Sequence, residues 1–379
     1  MKITERKKIM MSNYYKRIPF VLRQFGLSFD AFGVETLHSG HINCTFKVSL
    51  RSKRVNRSFI VQRINTYVFR DPVGIMQNID KVTEHIRRGM LARGEDPTGR
   101  VLQFLKRADG TNYFFEDEEN FWRVYHYVPN SITYDKAEDP EVLKNAGASF
   151  GRFQEYLSDF PMEELQDTMP DFHNTPKRME NLFCACERDA VGRAGEIKGE
   201  IALLKEHEKV WGRLEKLRAE GKIPVRVTHN DTKYNNILID RTTGEAVCVI
   251  DLDTVTPGLC AYDFGDAVRF SANTAAEDEP DLSKVSLDLG LYEAFAAGFI
   301  PACRSFCSDA EMESLALGAP TMAFELAARF LEDYVNGDKY FKVSHATHNL
   351  ERGRNQLALA LDMVAKWDEL QRINRIFAK

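Results

Sequence analysis

Between about Val34 and Tyr127 the apolar residues gather in short β-type runs: CTFKVSL at 44–50, RSFIVQRI at 57–64 and FWRVYHYV at 121–128. Short runs of this kind, rich in β-branched and aromatic residues, read as strands. Between the second and third runs the period changes, because Ile75, Ile79, Val82 and Ile86 recur at helical spacing within VGIMQNIDKVTEHIRRGMLARG. The first third therefore predicts a small sheet with one helix inserted in it. Past Pro129 the pattern becomes helical. Asp139-Pro140 opens EVLKNAGASFGRFQEYL and Thr175-Pro176 opens KRMENLFCACERDA, both with proline in the first turn, where its missing N–H costs nothing. Ser308 and Glu311 make a capping-box pattern before a helix running toward Tyr334, and a last helix is expected over 347–375. The reading is an α+β chain of two lobes: 1–128, a small β-rich lobe with one helix, and 129–379, larger and mostly α. The boundary is a tight hinge near Val128–Asn130, and turnover is expected to depend on it.

Inside the helical lobe lies an island of β pattern: PVRVT at 224–228, HNDTKYNN at 229–236, ILID at 237–240, a turn at Thr242–Gly244, and AVCVI ending at Asp251. A loop followed by a hairpin is implied. His229, Asp231 two residues on, Asn236 five beyond it, and Asp251 20 positions after Asp231 fit the spacing of a kinase catalytic loop. The bilobal fold is thus expected to be protein-kinase-like. Phosphoryl transfer needs a carboxylate that orients a hydroxyl and takes its proton late, which suits Asp231. Mg²⁺ takes one or two carboxylate or amide oxygens from a protein, which suits Asn236 and Asp251, brought together by the hairpin. Lys233 would neutralise the transferring phosphoryl group. Asp253 is either a further ligand, if the backbone stays extended, or a turn carboxylate before Thr254-Val255-Thr256-Pro257-Gly258. Asp263-Phe264-Gly265 spells the metal-binding triplet of protein kinases but lies 32 positions past Asp231 with no apolar strand before it, so Asp251 is the better ligand.

The composition, 44% hydrophobic and 28% charged over 379 residues, is that of a globular chain with core enough for two lobes. A net charge of −5 without a basic tract speaks against nucleic acid as a partner. The seven cysteines are odd in number and lack zinc-site spacing, the start has no apolar signal stretch, and no uncharged apolar run nears the ~20 residues that span a bilayer. A cytoplasmic protein with free thiols, a monomer or alternatively a dimer, is expected. His345 and His348 read as residues flanking the last helix, and the acidic run AAEDEPDL at 275–282 as a solvated loop or a lid.

The His-x-Asp loop, the Asn five on and the Ile250-Asp251 pair resemble the aminoglycoside phosphotransferase and choline kinase superfamily. VTHNDTKYNNILID, VIDLDTVTPG, YDFGDAVRFSANTAAEDEPDLSKV, GHIN at 40–43, HNTP at 173–176 and ARFLEDYVNGDKYF at 328–341 are similar, within it, to the N-acetylhexosamine 1-kinases, over nearly the whole chain. The resemblance implies ATP- and Mg²⁺-dependent phosphorylation of GlcNAc or GalNAc at the anomeric hydroxyl. It implies Asp231 as base and substrate contact, Asn236 and Asp251 as magnesium ligands, Asp263 as a carboxylate steadying the loop near His229, and Phe270, Arg329 and Tyr340 as sugar-pocket residues. A fork of guanidinium donors and an aromatic face suit a sugar.

On the nucleotide side, Ser39-Gly40-His41-Ile42-Asn43 stands where a Gly-rich loop would, with Ser39, Gly40, His41 and Asn43 as phosphate or sugar contacts. FIVQRIN places Gln62 or Arg63 where the phosphate-pairing lysine is usual, and either Arg63 takes over or Gln62 holds the site and affinity rests on Mg²⁺. Two alternatives stay open: another small-molecule kinase of the superfamily, acting on a different sugar, an aminoglycoside or choline, and a pseudokinase that binds without turnover.

Overall fold

In the computed structural model, described for all residues except 1, 38–41, 53–55, 118 and 137–138 and for side chains from residue 13 onward, the chain divides into two compact units, Met1–Ser131 and Ile132–Lys379. The first carries a five-stranded sheet with helices and the second is mostly helical with short strands, an α+β, protein-kinase-like architecture.

The first unit holds α1 (Lys2–Gln24), β1 (Ala31–Leu37), β2 (Cys44–Arg51), β3 (Asn56–Arg63), α2 (Pro72–Ala92), β4 (Phe114–Phe115) and β5 (Phe121–His126). The strands form one antiparallel sheet in the order β1-β2-β3-β5-β4. α2 starts where Asp71 accepts a hydrogen bond from the Gly74 N–H (2.9 Å), with Pro72 in the first turn. A second helix, α1, joins the one expected. Its Ile18, Val21 and Leu22, with Phe25 just past its end, fall at helical spacing and are buried against Phe46, Val48, Val61, Trp122 and Val124 of the sheet.

The second unit opens with α3 (Pro140–Tyr156), capped by Asp139, and α4 (Thr175–Arg188), whose cap is Asn174, one residue before the expected Thr175. Three short helices follow, α5 (Lys198–Glu206), α6 (Glu208–Trp211) and α7 (Arg213–Ala219). The β island then gives β6 (Arg226–Thr228), β7 (Ile237–Asp240), β8 (Ala246–Val249) and β9 (Thr256–Gly258). β7 and β8 form the expected hairpin, pairing Ile237 with Val249, and its turn is held by the Asp240 carboxylate on the Thr242 and Thr243 N–H groups, with Gly244 at φ +72°. The TVTPG run, expected as a turn, instead pairs with β6 as β9, Thr256 opposite Thr228, and Pro257 is tolerated in so short a ribbon.

α8 (Cys260–Ser271), α9 (Leu289–Cys303) and α10 (Asp309–Val335) build the core with α3, and Ser308 and Glu311 form the capping box that opens α10. α8 and α10 meet backbone to backbone. A Cβ on Gly265 would stand 2.2 Å from the Gly318 carbonyl oxygen, and one on Gly318 would stand 1.9 Å from that of Ala261, so only glycine fits at this crossing. The expected single last helix is two, α11 (His348–Ala365) and α12 (Trp367–Phe377). The break falls where the Lys366 ammonium turns back to the Leu287 carbonyl (2.8 Å) and the Ser286 hydroxyl (2.7 Å). Among the described residues no helix is long and apolar enough to cross a membrane.

Candidate active site

The loop between β6 and β7 is fastened from below by one carboxylate. Asp263, in the first turn of α8 and fully buried, accepts the backbone N–H of His229 (2.9 Å) on Oδ2 and that of Asn230 (2.7 Å) on Oδ1, and the Gln154 amide also donates to it. The Thr232 hydroxyl donates to its carbonyl (2.5 Å). Burial pushes the Asp263 carboxyl above the ordinary carboxylate range in spite of these donors. The triplet set aside as a metal motif is a scaffold for the loop.

His229 is locked by backbone at both nitrogens. Nε2–H donates to the Ile250 carbonyl (2.9 Å) and Nδ1 accepts the Asp231 N–H (3.3 Å), so the hydrogen bonds specify the tautomer, while Phe150 and Phe153 meet the ring edge-on. Asn230 takes φ +62°, a conformation asparagine enters more readily than most residues. Its side chain bridges Thr228 to Thr254 and Thr256, tying β6 to β9. Its carbonyl accepts His173 Nε2 (2.9 Å), whose Nδ1 faces the Glu325 carboxylate (2.7 Å).

With the loop so held, Asp231 presents a carboxylate contacted by Lys233 Nζ on Oδ1 (2.9 Å) and by Asn236 Nδ2 on Oδ2 (3.0 Å). Burial works to raise its pKa, but the Lys233 ammonium and the Asn236 amide outweigh it and hold the carboxyl below the ordinary range. Asn236 Nδ2 also donates to the Asp231 carbonyl (2.8 Å). Both neighbours of that nitrogen are acceptors, which fixes the amide orientation and turns Oδ1 away as an acceptor for something else. The Asn236 carbonyl takes the Ile250 N–H (2.9 Å), continuing the hairpin ladder and setting Asp251 beside Asn236. Asp251 adopts φ +59° and directs the chain into a single 3₁₀ turn, Leu252–Thr254. The backbone is therefore not extended at Asp253, which is buried within that turn, so the condition for a ligand role is not met. One amide oxygen and one carboxylate at adjacent strand ends fit the sparse protein share of a Mg²⁺ site. Among the described residues no group of three or more His, Cys, Asp or Glu side chains is placed to hold a metal.

The remaining residues anticipated from sequence are more scattered. Phe270 is half-buried on α8 and packed against the core. Arg329 on α10 lies over the rings of Phe172 (5.4 Å) and Phe341 (5.8 Å). Tyr340 is 59% exposed, meets Phe341 edge-on, and has its N–H held by the Asp333 carboxylate (2.8 Å). Arg329 and Tyr340 thus meet at Phe341, while Phe270 belongs to another helix. Arg352 also covers Phe341 (5.7 Å) and pairs with Glu277 (2.8 Å), which in turn pairs with the buried Arg269 (3.1 Å). The acidic run is therefore tied inward at Glu277, and Asn355 holds its backbone through the Ala276 and Glu279 carbonyls. His345 pairs with Glu351 (2.8 Å) and stacks on His348.

In the first unit, Ser39, Gly40 and His41 lie outside the described residues. Asn43 accepts the Asn65 N–H (3.0 Å). Arg63 is engaged in packing, stacked over Tyr14 (4.9 Å) with its Nε on the Glu119 carbonyl. Gln62 is buried in a row across the sheet, donating to Thr45 (2.9 Å) and accepting from Arg123 Nε (2.9 Å). Arg123, a buried cation on the strand next to Gln62, is not singled out by any motif in sequence. Its cue is an arginine inside an otherwise apolar strand.

Residues 33–297, more than half of the chain, match the family model described as the phosphotransferase enzyme family. Among solved structures, a microcompartment-associated aminopropanol kinase is 18% identical with a TM-score of 0.60, covering 93% of this chain and 97% of its own. A spectinomycin phosphotransferase in complex with ADP and spectinomycin is 10% identical with a TM-score of 0.56 (94% and 98%). A choline kinase from Cryptosporidium parvum Iowa II is 14% identical with a TM-score of 0.54 (92% and 92%). At these identities the likeness is one of fold.

Proposed function

We propose a reaction for a chain that belongs to the phosphotransferase enzyme family: transfer of the ATP γ-phosphoryl group to the anomeric hydroxyl of an N-acetylhexosamine, giving the sugar 1-phosphate. The observation that carries the phosphotransfer is the loop itself, in which Asp231 is ionised and contacted by Asn236 and Lys233, while the hairpin register sets Asp251 beside Asn236.

Asp231 accepts the proton of the attacking hydroxyl, an oxygen base within hydrogen-bond reach once the acceptor displaces a neighbour. Lys233 leaves Asp231 for the transferring phosphoryl group, where its charge offsets the negative charge that develops. Asn236 Oδ1 and the Asp251 carboxylate would hold Mg²⁺, which supplies charge neutralisation on the nucleotide phosphates. His229 and Asp263 are positioning residues that hold the loop. In the first unit Asn43 and the 39–41 segment serve the nucleotide or the sugar. Arg63, partly exposed over Tyr14, is the cation we assign to the α/β-phosphates, since Arg123 is 2% exposed, packed over Phe104 and bonded to Gln62.

Substrate choice is supported by the resemblance to N-acetylhexosamine 1-kinases and by the wall formed by Arg329, Tyr340 and Phe341, with Phe270 as a further apolar surface. A guanidinium repels choline and protonated aminoglycosides and forks to sugar oxygens. The test is ADP release with ATP and Mg²⁺ against GlcNAc, GalNAc, galactose, choline and kanamycin. Stimulation by the two N-acetylhexosamines above all others is expected. Preference for choline or kanamycin removes the sugar assignment, and no stimulation by any acceptor favours a binding module.

A further inference from the structure

Asp263, Asp266 and Phe270 lie on one stripe of α8, at spacings of three and four residues. Asp263 grips the catalytic loop at His229 and Asn230, so the next turn of the same stripe faces the loop further along, toward Lys233. Asp266 occupies that turn and is 5% exposed. Its Oδ1 accepts Nε (3.1 Å) and Nη2 (2.7 Å) of Arg269, but its Oδ2 is buried and, among the described residues, has no hydrogen-bond partner. A carboxylate oxygen in that condition is uncommon in a native core.

The surrounding charges are already balanced. Ion pairs join Asp231 to Lys233, Asp266 and Glu277 to Arg269, and Glu277 to Arg352, which makes three carboxylates and three cations. The Lys233 ammonium, which burial alone would lower, is held raised first by Asp231 and then by Asp266 and Glu277, so Asp266 shares its field with the base. A balanced cluster does not require a cationic ligand, and what Oδ2 lacks is a neutral donor.

We propose that Asp266 is a specificity residue of the acceptor site, its Oδ2 accepting a hydrogen bond from a second hydroxyl of a neutral polyol whose reacting hydroxyl lies on Asp231. This rests on the reading of the chain as a phosphotransferase acting on small hydroxylated acceptors, and it narrows the acceptor class to molecules carrying at least two hydroxyls.

The test compares wild type with Asp266→Asn, in which an amide N–H replaces the bare acceptor while an amide oxygen remains for Arg269. Values of kcat/KM are measured for the preferred acceptor and its mono-deoxy analogues. Removal of one particular hydroxyl should cost the wild type about 10–100-fold and the variant far less. Equal losses for every analogue in both proteins, or a change confined to the KM for ATP, overturn the proposal by making Asp266 a support for Lys233. Should the variant fail to fold, wild type alone decides with deoxyfluoro analogues. Fluorine cannot donate, so the sensitive position should lose as much with fluorine as with hydrogen, and recovery with fluorine overturns the proposal. If another polyol replaces the N-acetylhexosamines as substrate, the hexosamine reading falls and the same comparison is made on that polyol. Turnover of choline alone, which has no second hydroxyl, or of no acceptor, overturns both.

Discussion

Replacing Asp231 by Asn should lower kcat by about 10²–10⁴-fold, the range supplied by a positioned base, with nucleotide affinity and melting temperature near wild type. The amide preserves the shape, but its single oxygen can accept from only one of Lys233 and Asn236, and it cannot take a proton. The same residue sets the acid side of the pH profile. Burial raises the Asp231 carboxyl, yet Lys233 and Asn236 hold it below the ordinary value of about 3.9. Because the folded pKa is depressed, the carboxylate stays ionised as pH falls through the unfolded value and is lost only below it. The limb of kcat/KM assigned to Asp231 should therefore be absent between pH 5 and 8 on this account. A midpoint near 6 that vanishes in Asp231→Asn would mean that the ion pair does not govern the base.

Asp263→Ala should be the most damaging single change outside the reacting groups. It leaves the His229 and Asn230 N–H groups and the Gln154 amide buried without their acceptor. The expected loss is about 3–5 kcal/mol of stability, from stranded donors that had a charged partner. Turnover should fall with it, since the loop carrying Asp231 is no longer held. Asp263→Asn keeps one acceptor and should recover part of the stability but little of kcat, because one of the two loop amides stays unpaired. Urea unfolding alongside kinetics measures both. A fully active Asp263→Ala would show that the loop is held elsewhere.

The parts of this architecture legible in sequence are those with a strict local signature. Strand β2 follows period-two alternation, β3, β5 and the hairpin β7–β8 stand out as short apolar runs, and α3 and α10 announce themselves through Asp139-Pro140 and the Ser308/Glu311 box. His229, Asp231, Asn236 and Asp251 stand out because the loop–hairpin geometry enforces their spacing. α1 is obscured by its charge-dense start and Pro19, although Ile18, Val21 and Leu22, with Phe25 just past its end, have helical spacing. β9 contains Pro and Gly, which read as a turn until a partner strand pairs with them. Glu277 sits in an acidic run, and composition cannot show that Arg269, 8 residues earlier, and Arg352, 75 later, draw it inward. Asp266 has no local signature either, since its meaning comes from the helix turn beside Lys233, and Arg123 is marked only as an arginine inside an apolar strand.

The most direct measurement is ³¹P NMR of the product formed from ATP, Mg²⁺ and GlcNAc or GalNAc, with Asp231→Asn as control. An anomeric sugar phosphate resonance that grows with time in the wild type and is absent in the variant is the predicted result. Phosphate on any other hydroxyl, or an equal yield from Asp231→Asn, would contradict the account.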